Sequence, residues 1–209
     1  MPDDPKRIVE QGYDAIAERY AEWAASFESP AMRWVEKLLA KLDEQSAVLE
    51  LGCGGGGPLT RAIAERHRLL GIDISAKQIE RARDRIPAGS FLQMDATEAD
   101  FESNSFDAVV SLYMLGHVPR AEQAPLLGRI ASWLRPGGWL LATMGTAGAD
   151  DAVEEDWLGA PMFFASFDER ENERMLLAAR FELDETKVIP YEEPGHGLVQ
   201  FMWVLGRKR

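Results

Sequence analysis

Five short apolar runs punctuate the first two thirds of the chain: AVLEL (47–51), LLGID (69–73), SFLQMD (90–95), FDAVVS (106–111) and GWLLATM (138–144). Apolar runs of this length suit strands buried on both faces. Stretches of helical periodicity begin between them, near Pro58, Ser75 and Glu122. Strand alternating with helix predicts a mostly parallel sheet covered by helices on both faces, a three-layer, Rossmann-like doubly wound α/β fold. Local signals agree, because Ser75 and Gln78 form a capping box and LRPGG, with Pro136 and Gly137, stops the third helix. Ahead of the alternation, Tyr13, Ile16, Tyr20, Trp23 and Phe27 recur at steps of three and four, which predicts an amphipathic helix, and Pro30 opens a second helix. Behind it come an aromatic loop from Trp157 to Phe167, a helix around Glu169 to Ala179, and two strand-like runs, FELDETKVI and LVQFMWVLG, joined by PYEEPGHG as a long hairpin.

Charge and cysteine usage narrow the function. Lys and Arg number 23 against 35 Asp and Glu, a net charge of -12, and no basic run is long enough to track a phosphate backbone. Nucleic acid is therefore not expected as a partner. No apolar stretch suits a membrane span or a leader, which predicts a cytoplasmic protein that does not bind membranes. Cys53 is the single cysteine, and no Cys/His cluster has metal spacing, so neither a disulfide nor a metal site is expected.

Five glycines fall among residues 52–57, directly after the first apolar run and ahead of a helix. A strand, a glycine turn and a helix N-terminus leave backbone N–H groups free at the carboxyl edge of the sheet, where a ligand can lie on the main chain. Gly52, Gly54 and Gly57 satisfy G-x-G-x-x-G, and Asp73 follows at the end of the second strand, so spacing alone describes a dinucleotide site. The same stretch also reads E-x-G-x-G-x-G from Glu50 to Gly56, and at this point the chain resembles the class I S-adenosylmethionine-dependent methyltransferases. LLGIDIS, MDAT, FDAVVSLYMLGHV and LRPGGWLLAT continue the resemblance in order over nearly the whole chain.

The resemblance implies seven strands, the last pair a hairpin that brings an antiparallel strand into the sheet. It divides a single domain of residues 1–209 into an N-terminal helical lid (1–44), a cofactor-binding half (45–145) and an acceptor-side loop, helix and hairpin (146–209). It implies S-adenosyl-L-methionine as cofactor, S-adenosyl-L-homocysteine as product and a small-molecule methyl acceptor. Gly52 and Gly54 would admit the methionine part of the cofactor, with Glu50 organising the loop and Tyr20 closing over the carboxylate. Asp73 would accept both ribose hydroxyls, Ile74 would cover adenine, and Asp95 with the Ala96 backbone would read its amine. Ser111, at the end of the fourth strand, falls on the cofactor side.

Methyl transfer is an in-line displacement, and a base is needed only where the acceptor holds its proton. His117, just past the fourth strand, is the candidate base, with His196 in the hairpin loop as a second histidine. Trp157, Met162, Phe163, Phe164 and Phe167, with Tyr13, Tyr20 and Met144, are the candidate acceptor pocket. The alternative for the aromatic loop is packing of the C-terminal helix. Arg180 departs from the family pattern, standing where many relatives place glycine after the last helix. Two other functions remain to be weighed. A nicotinamide-dependent oxidoreductase would need hydride chemistry such as a Tyr-x-x-x-Lys pair, which the chain lacks; a catalytically silent scaffold is opposed by the intact set Glu50, Gly52, Gly54, Asp73 and Asp95.

Overall fold

The computed structural model describes residues 4–209. Two helices, α1 (Pro5–Ala25) and α2 (Ala31–Leu39), precede the alternating region. That region runs β1 (Ala47–Leu51), α3 (Pro58–Ala64), β2 (Arg68–Asp73), α4 (Ala76–Arg85), β3 (Ser90–Gln93), β4 (Phe106–Ser111), α5 (Arg120–Trp133) and β5 (Leu134–Gly145). A two-stranded hairpin, β6 (Ala152–Trp157) and β7 (Ala160–Phe164), then leads to α6 (Glu169–Ala178), β8 (Phe181–Glu193) and β9 (Gly197–Lys208).

Seven strands form one sheet in the order β3-β2-β1-β4-β5-β9-β8. The first five are parallel, and β9 runs antiparallel between β5 and β8. The expected C-terminal hairpin is thus present and longer than its apolar runs. Strand order reverses between β1 and β4, and the loops leaving those two strands diverge there to open a crevice.

Strand alternation sorts side chains into two cores. Leu49, Leu51 and Val109 face one core with α5 and α6, whereas Val48, Ala108 and Val110 face the other with α2, α3 and α4. Trp34 of α2 stacks on Trp203 of β9 at 5.7 Å, both almost wholly buried, and so seals the second core. The expected stop at Pro136 and Gly137 falls inside β5 instead. Helix α5 ends at Trp133, Leu134 already pairs with Phe106, and the register shifts before Ala108 meets Trp139.

The larger departure is residues 152–164. The segment expected as an aromatic loop is the β6–β7 hairpin, and its apolar side chains form a third core with α1. Val9, Ile16, Trp157, Met162 and Phe163 are buried there together, and a Cβ on Gly12 would lie 2.7 Å from the Pro161 carbonyl oxygen. The register shift between Glu154 and Trp157 breaks alternation and hides the strands from a period-two reading.

Arg180 ends α6 in the left-handed region, with φ +66°, while its N–H donates to the Leu177 carbonyl at 3.0 Å. A side chain in that conformation is strained, which is why glycine is favoured just past a helix end. Arg180→Gly is therefore expected to raise stability by about 1 kcal/mol in urea denaturation. A loss of stability would contradict this account of the turn.

Candidate cofactor and acceptor site

Leaving β1, the chain turns through Gly52, Gly54 and Gly56, all at positive φ (+70°, +55° and +70°). Each has its own constraint. A Cβ on Gly52 would lie 2.8 Å from the Met114 side chain, and one on Gly56 would lie 3.0 Å from the Ala82 backbone. A Cβ on Gly54 would meet nothing within 4 Å, because it would stand in open cavity. The turn is anchored to β2 twice. Gly52 and Cys53 donate to the Ile72 carbonyl (2.8 and 3.0 Å), and the Gly54 N–H donates to Asp73 Oδ2 at 2.9 Å.

Asp73 Oδ1 accepts the Ser75 N–H at 2.9 Å, so this carboxylate ties the glycine turn to the start of α4. Each oxygen still has a free lone pair, and Asp73 lines the cavity. Burial pushes its pKa up to about 6 against the pull of those two N–H donors, with Asp14 adding to the rise. Glu50, at the end of β1, is buried; Oε1 accepts the Thr60 hydroxyl at 3.1 Å, and Oε2 has no partner. Burial pushes this carboxyl up to about 8, the Thr60 bond opposing and Asp73 adding. A buried carboxylate with an orphan oxygen beside a second carboxylate describes a place that favours positive charge.

The cavity lies between the glycine turn, the ends of β2, β3 and β4, and α1. Its walls include Tyr13, Tyr20, Gly52, Gly54, Asp73, Ile74, Asp95, Ala96 and His117, all proposed from sequence. Asp95 accepts the Thr97 N–H at 2.7 Å and the Thr97 hydroxyl at 2.9 Å, a local cap, and also meets Lys6 Nζ at 3.1 Å. Lys6, Val9, Ile72, Gln78, Met94, Thr97, Leu112, Tyr113, Met114, Val118 and Pro119 complete the lining, and no sequence signal assigns any of them a site role. For Tyr113 a signal exists in the structure alone: it sits at φ +58° with its N–H on Thr143 Oγ1 at 2.6 Å.

Several expectations need correction. Glu50 and Ser111 do not line the cavity; Ser111 is wholly buried on β4 with its hydroxyl unpartnered. Met144 is part of the core beneath α5 and α6, and Trp157, Met162 and Phe163 pack against α1, so none of the four lines this cavity. Phe167 carries the Arg120 guanidinium 4.2 Å above its ring, also away from the cavity. Phe164 comes nearest, 4.9 Å from the His117 ring, but behind it. Aromatic side chains in a hairpin that packs on a helix are core by necessity, because that small unit has no other way to hide them.

His117 lies in a single 3₁₀ turn, Leu115–His117, pinned by β7: Ala165 N–H donates to the Gly116 carbonyl at 2.8 Å. Nδ1 lies 2.9 Å from the Phe163 carbonyl, which only accepts, so Nδ1 carries the proton and Nε2 is an acceptor. Nε2 is then filled by the Tyr13 hydroxyl at 2.8 Å. Both ring nitrogens are occupied, and burial pushes the pKa down to about 4, the Phe163 contact opposing. As a free base at neutral pH, His117 is not supported by this geometry. The pair instead leaves the Tyr13 oxygen, which donates to His117, free to accept from a cavity ligand.

Among the described residues no group of His, Cys, Asp and Glu could hold a metal ion, and no helix is long and apolar enough to cross a membrane.

Glu50 generates a pH test. Unfolded, it ionises near pH 4.3; folded, it keeps its proton to about pH 8. Between those values the native state binds more protons, so rising pH lowers stability. Glu50→Gln should flatten that fall and raise the melting temperature most at about pH 8, read by comparing thermal melts of the two proteins across the range. Parallel curves would overturn the assignment.

Residues 48–138 match the family described as "Methyltransferase domain". The chain is 32% identical over 154 residues to 27-O-demethylrifamycin SV methyltransferase of Amycolatopsis mediterranei (strain S699), covering 63% of this chain and 56% of that protein. It is 33% identical over 138 residues to phosphatidylethanolamine N-methyltransferase of Cereibacter sphaeroides, covering 60% and 65%. The chain thus spans less than two thirds of either relative. Among solved structures, 1,6-didemethyltoxoflavin-N1-methyltransferase of Burkholderia thailandensis, with bound 1,6-didemethyltoxoflavin and S-adenosylhomocysteine, superposes with TM-score 0.76 at 20% identity, over 100% of this chain and 90% of that one. Glycine turn, strand-end carboxylate, strand order and these likenesses converge: the chain is similar to S-adenosylmethionine-dependent methyltransferases, and residues 48–138 carry the match to the methyltransferase domain family.

Proposed function

We propose that this protein binds S-adenosyl-L-methionine in the cavity at the β1/β4 crevice and methylates an oxygen or nitrogen of a small organic molecule. The observation that carries the reading is the pairing of Gly54, bare toward the cavity, with Asp73, which lines the same cavity with a lone pair free on each oxygen. When bound, the cofactor supplies a methyl group on a positively charged sulfur.

In this reading Asp73 takes the ribose hydroxyls, since one carboxylate matches a vicinal diol. Gly52 and Gly54 allow backbone contact with the amino-acid part, and Tyr20 on α1 covers it. Ile74 and Ala96 flank the adenine while Asp95 meets its amine. Glu50 acts through the loop: it holds Thr60 on α3, and a cationic ligand at the glycine turn would draw its buried carboxyl toward the ionised form. Tyr13, oriented by His117, presents an oxygen that can accept from the O–H or N–H of an acceptor and so aim its lone pair. Covering the site with α1 excludes water, the competing nucleophile. S-adenosyl-L-homocysteine is the expected product.

Asp73→Asn should weaken S-adenosylhomocysteine binding by about 10- to 100-fold in calorimetric titration, the loss of charge-assisted bonds to a diol, and should lower the melting temperature, because the new amide NH2 faces the N–H of Gly54 or Ser75. Wild-type protein should not bind a nicotinamide dinucleotide. Unchanged affinity in the variant, or binding of the dinucleotide in preference, would overturn the proposal.

A further inference from the structure

Helix α1 carries Lys6, Val9, Tyr13 and Tyr20 into the cavity wall, while its large buried side chains, Val9 and Ile16, pack in the core it shares with β6–β7. Polar ties join it to the rest of the sheet. Lys6 reaches Asp95 and Glu122, Glu10 accepts from Gln93 Nε2 at 3.2 Å, and Tyr13 reaches His117. Asp14 differs from these in its partner. Its Oδ1 accepts the Ser75 hydroxyl at 2.6 Å and the Lys77 N–H at 3.1 Å, and it is the Ser75 N–H that Asp73 Oδ1 accepts at 2.9 Å.

Ser75 is wholly buried, and its oxygen also accepts the Gln78 N–H at 3.1 Å as the N-cap of α4. Helix α4 therefore has a cap of its own. Asp14 is a second acceptor at the same helix start, brought there by a different element, and its charge suits the positive end of α4. That attraction is opposed by Asp73, one residue link away, since two carboxylates around a single serine repel each other. Asp14 is indeed among the groups that push the Asp73 carboxyl upward, after burial. Asp14 does not line the cavity, so any effect it has on a ligand passes through Ser75 and Asp73.

We propose that Asp14 is a positioning residue that couples the docking of α1 to occupation of the carboxylate ending β2. This rests on the cofactor reading above, in which ribose hydroxyls donate to Asp73. Hydroxyls that donate to Asp73 draw its charge toward the ligand and weaken its repulsion of Asp14, so α1 docks more firmly on a filled site. Linkage makes the effect reciprocal: a docked α1 strengthens nucleoside binding by the same factor. Tyr13, next to Asp14 in sequence, and Tyr20 ride on the same helix, so the latch brings both rings onto the bound ligand.

The test uses adenosine and 2′,3′-dideoxyadenosine, which differ only in the two hydroxyls, titrated calorimetrically into the full chain and its variants at about pH 8, above the value of about 6 to which Asp73 is raised. Asp14→Ala should weaken adenosine about tenfold and dideoxyadenosine by less than about threefold. A purely structural loss would weaken both alike. Alanine favours helix over aspartate, so the substitution does not weaken α1 itself. Stopped-flow measurements with S-adenosylhomocysteine should place the loss in dissociation, about tenfold faster, with association little changed. Asp14→Asn, which keeps an accepting oxygen and drops the charge, should show the same dependence on the hydroxyls at about threefold. Equal losses for the two nucleosides, or no loss for either, would overturn the inference while wild-type binding still upheld the cofactor reading. Wild-type protein that binds neither adenosine nor S-adenosylhomocysteine would overturn both.

Discussion

The carboxylate of Asp73 is the joint on which the site depends. Its two oxygens take the N–H groups of Gly54 and Ser75, each at 2.9 Å, and so lock the turn after β1 to the helix start after β2. Only a residue at the end of β2, one strand over from the glycine turn, can reach both. The parallel pairing of β1 with β2 fixes that reach, since Leu51 lies opposite Ile72. Charge-assisted bonds to backbone donors are strong, yet burial still pushes the group upward to about 6. Carboxyls shifted by desolvation in this way are concentrated at functional sites.

Around this joint the lid is assembled from parts distant in sequence. Helix α1 crosses the cavity with Lys6, Val9 and Tyr13 on successive turns and Tyr20 two turns further on. Its other face packs on β6–β7 in a core of its own, separate from the two cores that flank the sheet. Polar ties then fasten it to the body: Lys6 to Asp95 and Glu122, Asp14 to the Ser75 hydroxyl (2.6 Å) and Lys77 N–H (3.1 Å), and Tyr13 to His117. Elements held by a few polar contacts over a small separate core open at lower cost than those in the main core. In the proposed reading α1 thereby combines exclusion of water with a route of entry.

Much of this was legible before any coordinates. The run AVLEL followed by five glycines, and LLGID ending on Asp73, carry the cofactor half because strand burial and positive φ each demand particular residue types locally. Tyr20, Ile74, Asp95 and Ala96 fall in the cavity wall for the same reason: the ends of parallel strands lie at one edge, and α1 crosses it. What sequence could not show was set by tertiary pairing. The register shift in β6–β7 erased strand periodicity, so its aromatics read as an uncommitted apolar loop when they are the packing surface for α1. His117 reads as a base from position alone, and only the Phe163 carbonyl and the Tyr13 hydroxyl, 46 and 104 residues away, reveal that both its nitrogens are taken. Tyr113 and Lys6 needed the fold to bring them to one wall.

The fold supports many acceptors, so chemistry must be argued from the wall opposite the cofactor rather than from architecture. The central claim is narrower: the glycine turn and the carboxylate ending β2 form one nucleoside-binding unit. A crystal structure with S-adenosylhomocysteine tests it most directly. The account predicts ribose hydroxyls within hydrogen-bond distance of both Asp73 oxygens and the amino-acid part lying along Gly52 and Gly54. Ligand density elsewhere, or a ribose that leaves Asp73 bonded to backbone alone, would contradict it.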